Sequence, residues 1–317
     1  MKTNVLITSI SKKVPLLKVV KQAVSRVTSE AIIIGADSHM SCIGSYFVDQ
    51  FWHMPRLDEL NITELIAYCE RYNIGMIVPT RDGELLYFAK HRISLAERGI
   101  HVMISDEQAV TACLDKLCFF EELHTYQYPV IQTTLSIDTI SATRYVVKER
   151  HGAGSHNIGL NLNKEEAINQ ANKLSMPVFQ PFIEGKEFSV DMYIDRDRTM
   201  KGVIVRQREL IVQGESQIST TVQHPMIEGV CVRVAQTLQL YGHIIFQVIE
   251  DKRGSIHIIE CNPRFGGAST LSIAAGLDSF FWCYLEARGE ELATYPFCRS
   301  ETEKRLVRHT NDWISDV

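Results

Sequence analysis

Residues 1–104 alternate short apolar runs with segments of helical spacing, and that alternation leaves few folds open. Residues 4–8, 31–35, 75–79 and 101–104 have the length and apolar content of buried strands. Residues 14–27, 61–72 and 84–99 carry the apolar period of helices, with Asn61-x-x-Glu64 as a capping box. Strands and helices in strict alternation predict an α/β domain built on a parallel sheet with helices on both faces. The loop after the first strand, Ser9-Ile10-Ser11, lacks the Gly-x-Gly-x-x-Gly fingerprint, so no dinucleotide site is expected there.

The pattern changes after residue 104. Ser105-x-x-Gln108 reads as the cap of a helix running to about residue 124, and Asn163-x-x-Glu166 as the cap of another running to about residue 174. Strands are expected at 145–148, 178–183, 187–194, 200–206, 208–213, 243–250 and 256–261, with helices at 226–240 and 278–288. The fold class is therefore α/β at the start and α+β after it.

Composition removes several function classes. The chain has 317 residues, 45% apolar and 22% charged, with a net charge of -5. That is ordinary for a globular protein and gives no support to a nucleic-acid surface. Eight cysteines stand at 42, 69, 113, 118, 231, 261, 283 and 298 with no Cys-x-x-Cys, and no His-Glu-x-x-His occurs, so zinc and thioredoxin-type chemistry have no foothold. Scattered thiols suit the reducing cytoplasm. The opening apolar run is too short for a signal peptide, and none approaches the ~20 residues of a membrane span.

The run Ile258-Ile259-Glu260-Cys261-Asn262-Pro263-Arg264-Phe265-Gly266-Gly267 carries the strongest chemical signal. Alternation puts Glu260 and Asn262 on one face at the end of a strand that Pro263 stops. A carboxylate and an amide oxygen suit Mg²⁺ or Mn²⁺ shared with substrate phosphates. Arg264 follows, shaped for bidentate contact with carboxylate or phosphate. Glu-x-Asn alone would fit an edge strand ending in water; the ten-residue run favours a site.

Other candidates are weaker singly. The loop Gly152-Ala153-Gly154-Ser155 can cover phosphate oxygens with its N–H groups, or be a plain turn. Lys148, on the strand before it, can neutralise phosphate charge or lie solvated. Residues 180–187, with Gln180, Phe182, Ile183 and Glu187, can offer backbone groups to an adenine edge and an acid to ribose, or form a charged turn. Gln247 falls opposite Glu260 if Arg253-Gly254 is a two-residue turn; a longer loop would flip its face. Arg206 and Arg208 share a strand face if the strand is unbroken and suit an anionic substrate, although solvated strand arginines are the commoner explanation. Arg81, in Pro79-Thr80-Arg81-Asp82-Gly83-Glu84, follows a parallel strand's carboxyl end, where ligands bind; an ordinary strand-to-helix turn explains it as well.

In this order the motifs resemble the ATP-grasp superfamily, and most closely single-module proteins like the large subunit of carbamoyl-phosphate synthase. The resemblance implies a Rossmann-like pre-ATP-grasp domain (1–110), a lid subdomain (111–186) and a metal- and phosphate-binding subdomain (187–317), the last two forming a two-lobed fold with mixed and antiparallel sheets. It implies ATP and Mg²⁺ (or Mn²⁺) as cofactors. It assigns Lys116, Lys148, Gly152, Gly154, Ser155, Gln180, Phe182, Ile183 and Glu187 to the nucleotide, and Gln247, Glu260 and Asn262 to metal. Lys148 and Arg264 take catalytic roles, and Arg81, Arg206 and Arg208 remain substrate candidates.

The implied reaction is ligation of a small carboxylate to an amine or related nucleophile through an acyl phosphate, under a lid near 145–183. The alternatives are a subunit phosphorylating a carboxylate or carbamate, and a nucleotide-binding protein without ligase activity. A homodimer fits the resemblance; nucleic acid and membrane do not. Two departures stand out. Many relatives carry an acid at Gln247, and a full synthase uses two such modules and a glutamine-hydrolysing Cys-His pair, neither of which is present here.

Overall fold

The computed structural model describes residues 2–152, 154 and 157–314. The first part runs β1 (Asn4–Thr8), α1 (Val14–Ser25), β2 (Ile33–Asp37), β3 (Gln50–His53), α2 (Ile62–Arg71), β4 (Ile74–Val78), α3 (Asp82–Ala96) and β5 (His101–Val102). Its strands are all parallel, in the order β3-β2-β1-β4-β5. β2 and β4 are buried at every position, as a sheet covered on both faces requires. The parallel α/β expectation is met. β3 was not foreseen, because four edge residues give no period to read; Trp52 stacks there on Tyr68 at 3.7 Å.

This order reverses at β1. β2 and β3 lie on one side of it, β4 and β5 on the other. The carboxyl ends of β1 and β4 therefore flank a topological switch point, where sheets of this kind leave a crevice for ligands.

Helices α4 (Glu107–Leu114) and α5 (Lys116–Thr125) replace the single helix expected to residue 124. The break falls at Asp115, whose carboxylate accepts from the N–H groups of Leu117 (3.0 Å) and Cys118 (3.2 Å) and so caps α5. Ser105 is not a cap: its hydroxyl bonds the backbone of Tyr241, and Asp106 takes the N-cap position.

A three-stranded antiparallel sheet follows, from β6 (Tyr145–Glu149), β7 (Gly159–Leu162) and β8 (Pro177–Pro181), with α6 (Lys164–Ala171) packed on it. Asn163 and Glu166 form the expected capping box. The buried cluster here is small: Ile137, Ile140, Tyr145, Val147, Ala167, Ala171 and Phe179.

The last part holds β9 (Gly185–Ile194), β10 (Met200–Val212), β11 (Glu215–Val222), α7 (Pro225–Thr237), β12 (Gly242–Asp251), β13 (Ile256–Asn262), α8 (Ser269–Ala274), α9 (Ser279–Ala287) and β14 (Arg305–Val307). Its antiparallel sheet has the order β13-β12-β9-β10-β11-β14. The two strands expected at 200–213 are one, β10, with an irregularity around Leu210. One apolar cluster runs from Val5, Ile7 and Leu17 to Phe265, Phe280 and Trp282. That shared core ties the first sheet to the segment following β13. Among the described residues no helix is long and apolar enough to cross a membrane.

Candidate active site

A cavity of about 770 Å³ opens where the three parts meet. Every described residue singled out in the sequence lines it: Lys116, Lys148, Gly152, Gly154, Gln180, Phe182, Ile183, Glu187, Gln247, Glu260, Asn262, Arg264, Arg81, Arg206 and Arg208. Ser155 lies outside the described residues.

The β12–β13 hairpin builds one wall. Its turn is not the two-residue turn expected. Asp251 N–H donates to the Ser255 carbonyl (2.9 Å) and Gly254 N–H to the Asp251 carbonyl (2.9 Å), leaving a three-residue loop with Gly254 at φ +81°. That register alone would put Ile259 opposite Gln247. An irregularity between Gln247 and Val248 shifts it back by one, so that Gln247 faces Glu260 and Ile245 faces Asn262.

Asn262 Nδ2 donates to Glu260 Oε1 at 3.1 Å, placing both side chains together. Enclosure pushes the Glu260 carboxyl up, but the charges of Lys148 and Lys116, the Asn262 bond and Arg264 more than offset this and hold it below the usual range. An ionised carboxylate beside an amide oxygen is a donor set that fits a hard divalent cation. Among the described residues no cluster of three His, Cys, Asp or Glu would bind one alone. Gln247 is set differently from the other two candidates: its Oε1 accepts from Arg208 Nη1 at 3.2 Å.

Arg264 is anchored across the domain junction. Its Nε donates to Asp82 Oδ1 at 2.7 Å and its Nη2 to Asp82 Oδ2, a bidentate pair at the amino end of α3. It also donates to the Phe265 carbonyl (3.0 Å).

The three-stranded sheet and α5 supply the opposite wall. Lys148, on β6, is buried, and burial pushes its amine down to about 8 against the pull of Glu260. Lys116 Nζ donates to the carbonyls of Gly152 (2.9 Å) and Arg150 (3.4 Å). Asp115 takes a bidentate bond from Arg150 (2.7 and 2.6 Å). Burial works to raise the Asp115 carboxyl, but Arg150 holds it far below the ordinary range. The amino end of α5 is thus fastened to the base of the glycine loop.

At the inner edge, Gln180 Nε2 donates to Thr133 Oγ1 (2.8 Å) and Phe182 N–H to the Arg144 carbonyl (2.9 Å). Glu187 pairs with Arg208 Nη1 at 3.0 Å. Arg208 also donates to Ser216 Oγ (2.9 Å) and the Gly214 carbonyl (2.6 Å), so each of its three guanidinium nitrogens is engaged.

Arg206 differs from Arg208. It is 2% exposed, and its Nε donates to the fully buried Asp191 at 2.6 Å. Among the described residues its buried Nη1 has no partner. Asp191 also faces His243 Nε2 at 3.1 Å. The His243 ring stacks on Phe265 at 3.8 Å, and its Nδ1 meets Ser279 Oγ at 2.9 Å. Burial pushes this imidazole down despite Asp191.

Sequence reading missed four residues of this region. Asp82 sat in an Asp-Gly turn, and Lys13 in a loop without spacing. Asp191 and His243 looked like single polar positions within apolar strands. Only the pairing of distant strands brings them here.

Comparisons with known proteins agree with this architecture. Residues 113–268 match the model of the ATP-grasp domain, and residues 5–103 that of the PylC-like N-terminal domain. The biotin carboxylase domain of Hydrogenobacter thermophilus 2-oxoglutarate carboxylase, solved with MgADP, ADP and bicarbonate, is similar at a TM-score of 0.76. The match has 18% identity over 96% of this chain and 73% of that one. N5-carboxyaminoimidazole synthetase from Staphylococcus aureus, solved with ADP, is similar at 0.73, with 15% identity over 92% and 78%. An L-amino acid ligase from Bacillus licheniformis is similar at 0.69, with 14% identity over 90% and 74%. At such identities these likenesses show the fold. A search of curated protein sequences gives no match.

Proposed function

Because the chain carries an ATP-grasp domain behind a PylC-like N-terminal domain, we propose that it is an ADP-forming ligase. It joins a small carboxylate to an amine or related nucleophile, using ATP and Mg²⁺. One observation carries the reading: residues from three separate segments, picked out for nucleotide, metal and phosphoryl contact, line a single cavity. Two of the neighbours named above were solved with ADP, one of them also with MgADP and bicarbonate, which supports it.

In this reading the adenine lies along Gln180, Phe182 and Ile183, and Glu187 meets the ribose. Gly152 and Gly154 cover the triphosphate. Glu260 and Asn262 hold Mg²⁺; Gln247 joins them if its oxygen turns from Arg208. Bound there, Mg²⁺ offsets charge on the phosphate oxygens. Lys148 stabilises the γ-phosphoryl group in flight, and Lys116 does so after releasing Gly152. Catalysis of the first step is mainly positioning and electrostatics.

A carboxylate oxygen attacks the γ-phosphorus, the bond to the β-phosphate oxygen breaks, and ADP leaves. Arg264, held rigid by Asp82, and the free Nη1 of Arg206 steady the acyl phosphate. The amine nitrogen then attacks the acyl carbon, the carbon–oxygen bond to phosphate breaks, and phosphate departs while nitrogen loses a proton. Water must be kept out between these steps, which is the purpose of the lid. The segments 1–110, 111–186 and 187–317 are the working units. The eight unpaired cysteines fit a cytoplasmic site of action, and a homodimer is compatible with the reading.

A screen of ADP release tests it. Carboxylates, with bicarbonate and carbamate as separate arms for a synthase-like specificity, are crossed with ammonia and amino acids, and products are weighed by mass spectrometry. ADP formation in step with a condensed product is expected. Tight ATP binding with no ADP across the panel would overturn the proposal.

A further inference from the structure

The cavity has a wall that the ligase chemistry above leaves unused. It comes from the first domain, at the switch point between β1 and β4. The loop after β1 ends in Lys13, and the loop after β4 holds Thr80 and Arg81, with Asp82 opening α3; all four line the cavity.

Both loops are fixed in place. The buried Glu84 accepts from Thr80 N–H (2.5 Å), Arg81 N–H (2.9 Å) and Ser9 Oγ (2.8 Å), so one carboxylate clamps them together. Thr80 Oγ1 adds a bond to the Thr8 carbonyl at 2.7 Å. Ser9 holds a left-handed backbone, φ +54°, where the β1 loop turns. A fixed pair of loops can present charge at a set spacing with little ordering cost.

What they present is cationic and unmatched. Among the described residues no hydrogen bond or ion pair engages Lys13 Nζ or the Arg81 guanidinium. The carboxylates nearby are committed elsewhere: Asp82 to Arg264, Glu215 to Arg308 at 2.8 Å, and Glu84 to the loops. Burial and then the charge of Arg264 depress the Lys13 amine, against the opposing pull of Glu215, Asp82 and Glu84. An anion beside Lys13 would relieve that strain on its charge.

We propose that the switch-point crevice binds a second anionic group of the carboxylate substrate on Lys13 and Arg81. This rests on the ligase reading and narrows it. The reacting carboxylate goes to Arg264, Arg206 and the metal end. The remaining two cations then require a second charge on the same molecule, so the substrate class is a dicarboxylate or a phosphorylated carboxylate.

Isothermal titration of the protein saturated with MgADP tests this with three probes: propionate, succinate and 3-phosphonopropionate. One or both doubly charged probes are expected to bind at least about tenfold more tightly than propionate, and whichever is tighter identifies carboxylate or phosphate as the second group. Lys13→Gln and the exposed Arg81→Gln should each remove most of that preference and leave propionate binding unchanged. Equal binding of the three, no binding of any, or a preference that survives both variants would overturn the proposal. The ligase reading is read separately, from ADP release, so either can fail alone.

Discussion

β13 and β6 each bring one charged side chain to the cavity, Glu260 and Lys148, but what stands behind the two strands differs. β13 belongs to a six-stranded sheet whose core includes Val190, Phe246, Val248 and Ile258, and the segment after it is pinned to the first domain by Arg264 and Asp82. β6 belongs to three strands with a cluster of seven buried apolar residues and a glycine loop that ends at β7. Local stability follows buried contact, so the β13 wall is the more firmly held half of the site and the β6 sheet the less firmly held one. Lys116 bonded to the Gly152 carbonyl is a latch within the β6 half, tying the glycine loop to α5, and phosphate binding would have to exchange it. A ligase that protects an acyl phosphate needs this asymmetry.

Four variants break or sharpen the contrast. Glu260→Ala should lower kcat for ADP release by about 10³-fold with the fold intact; activity near wild type would remove the metal wall from the chemistry. Asp191→Ala strips Arg206 of its partner in the fixed half, where both groups are buried, and should cost about 3–5 kcal/mol in urea unfolding. A loss under 1 kcal/mol would mean the network is not a pillar of that wall.

The lid should answer through ligand affinity instead. Lys148 titrates near 8 in the free protein, below its ordinary 10.5, and triphosphate must raise it. Well below pH 8 the amine is charged in both states and ATP binding is at full strength. Above it, binding must take up a proton, so affinity should fall by up to about tenfold per pH unit. Lys148→Gln should bind ATP more weakly and lose that slope; a slope kept in the variant would assign it to another group. Gly154, at φ +72°, disfavours any side chain by about 1–2 kcal/mol. Gly154→Ala should raise the KM for ATP several-fold while the melting temperature barely moves; a matching loss of stability would make the loop structural.

The same division governs what could be read from sequence. The first sheet announced itself, because β1, β2 and β4 are continuous apolar runs between amphipathic helices. The Glu260–Arg264 run was legible because its side-chain spacing is local. The facing of Gln247 and Glu260 was reached by a path the chain does not take: a loop one residue longer than expected is compensated by an irregularity in the ladder. Neither is encoded in a short motif. The break at Asp115 hid inside a helical pattern, since a capping aspartate between two helices looks like one exposed helical position. Asp82, Asp191 and His243 matter only through partners, and Lys13 only through a cavity, that strand order assembles, and no local pattern marks them.

The account stands on Glu260 and Asn262 holding a divalent cation against the nucleotide's phosphates. A crystal structure with Mn²⁺ and a non-hydrolysable ATP analogue, read by manganese anomalous scattering, measures this directly. The prediction is a peak about 2.1–2.3 Å from a Glu260 carboxylate oxygen and the Asn262 amide oxygen, with Lys148 on the terminal phosphate. Manganese and triphosphate bound away from both side chains would contradict it.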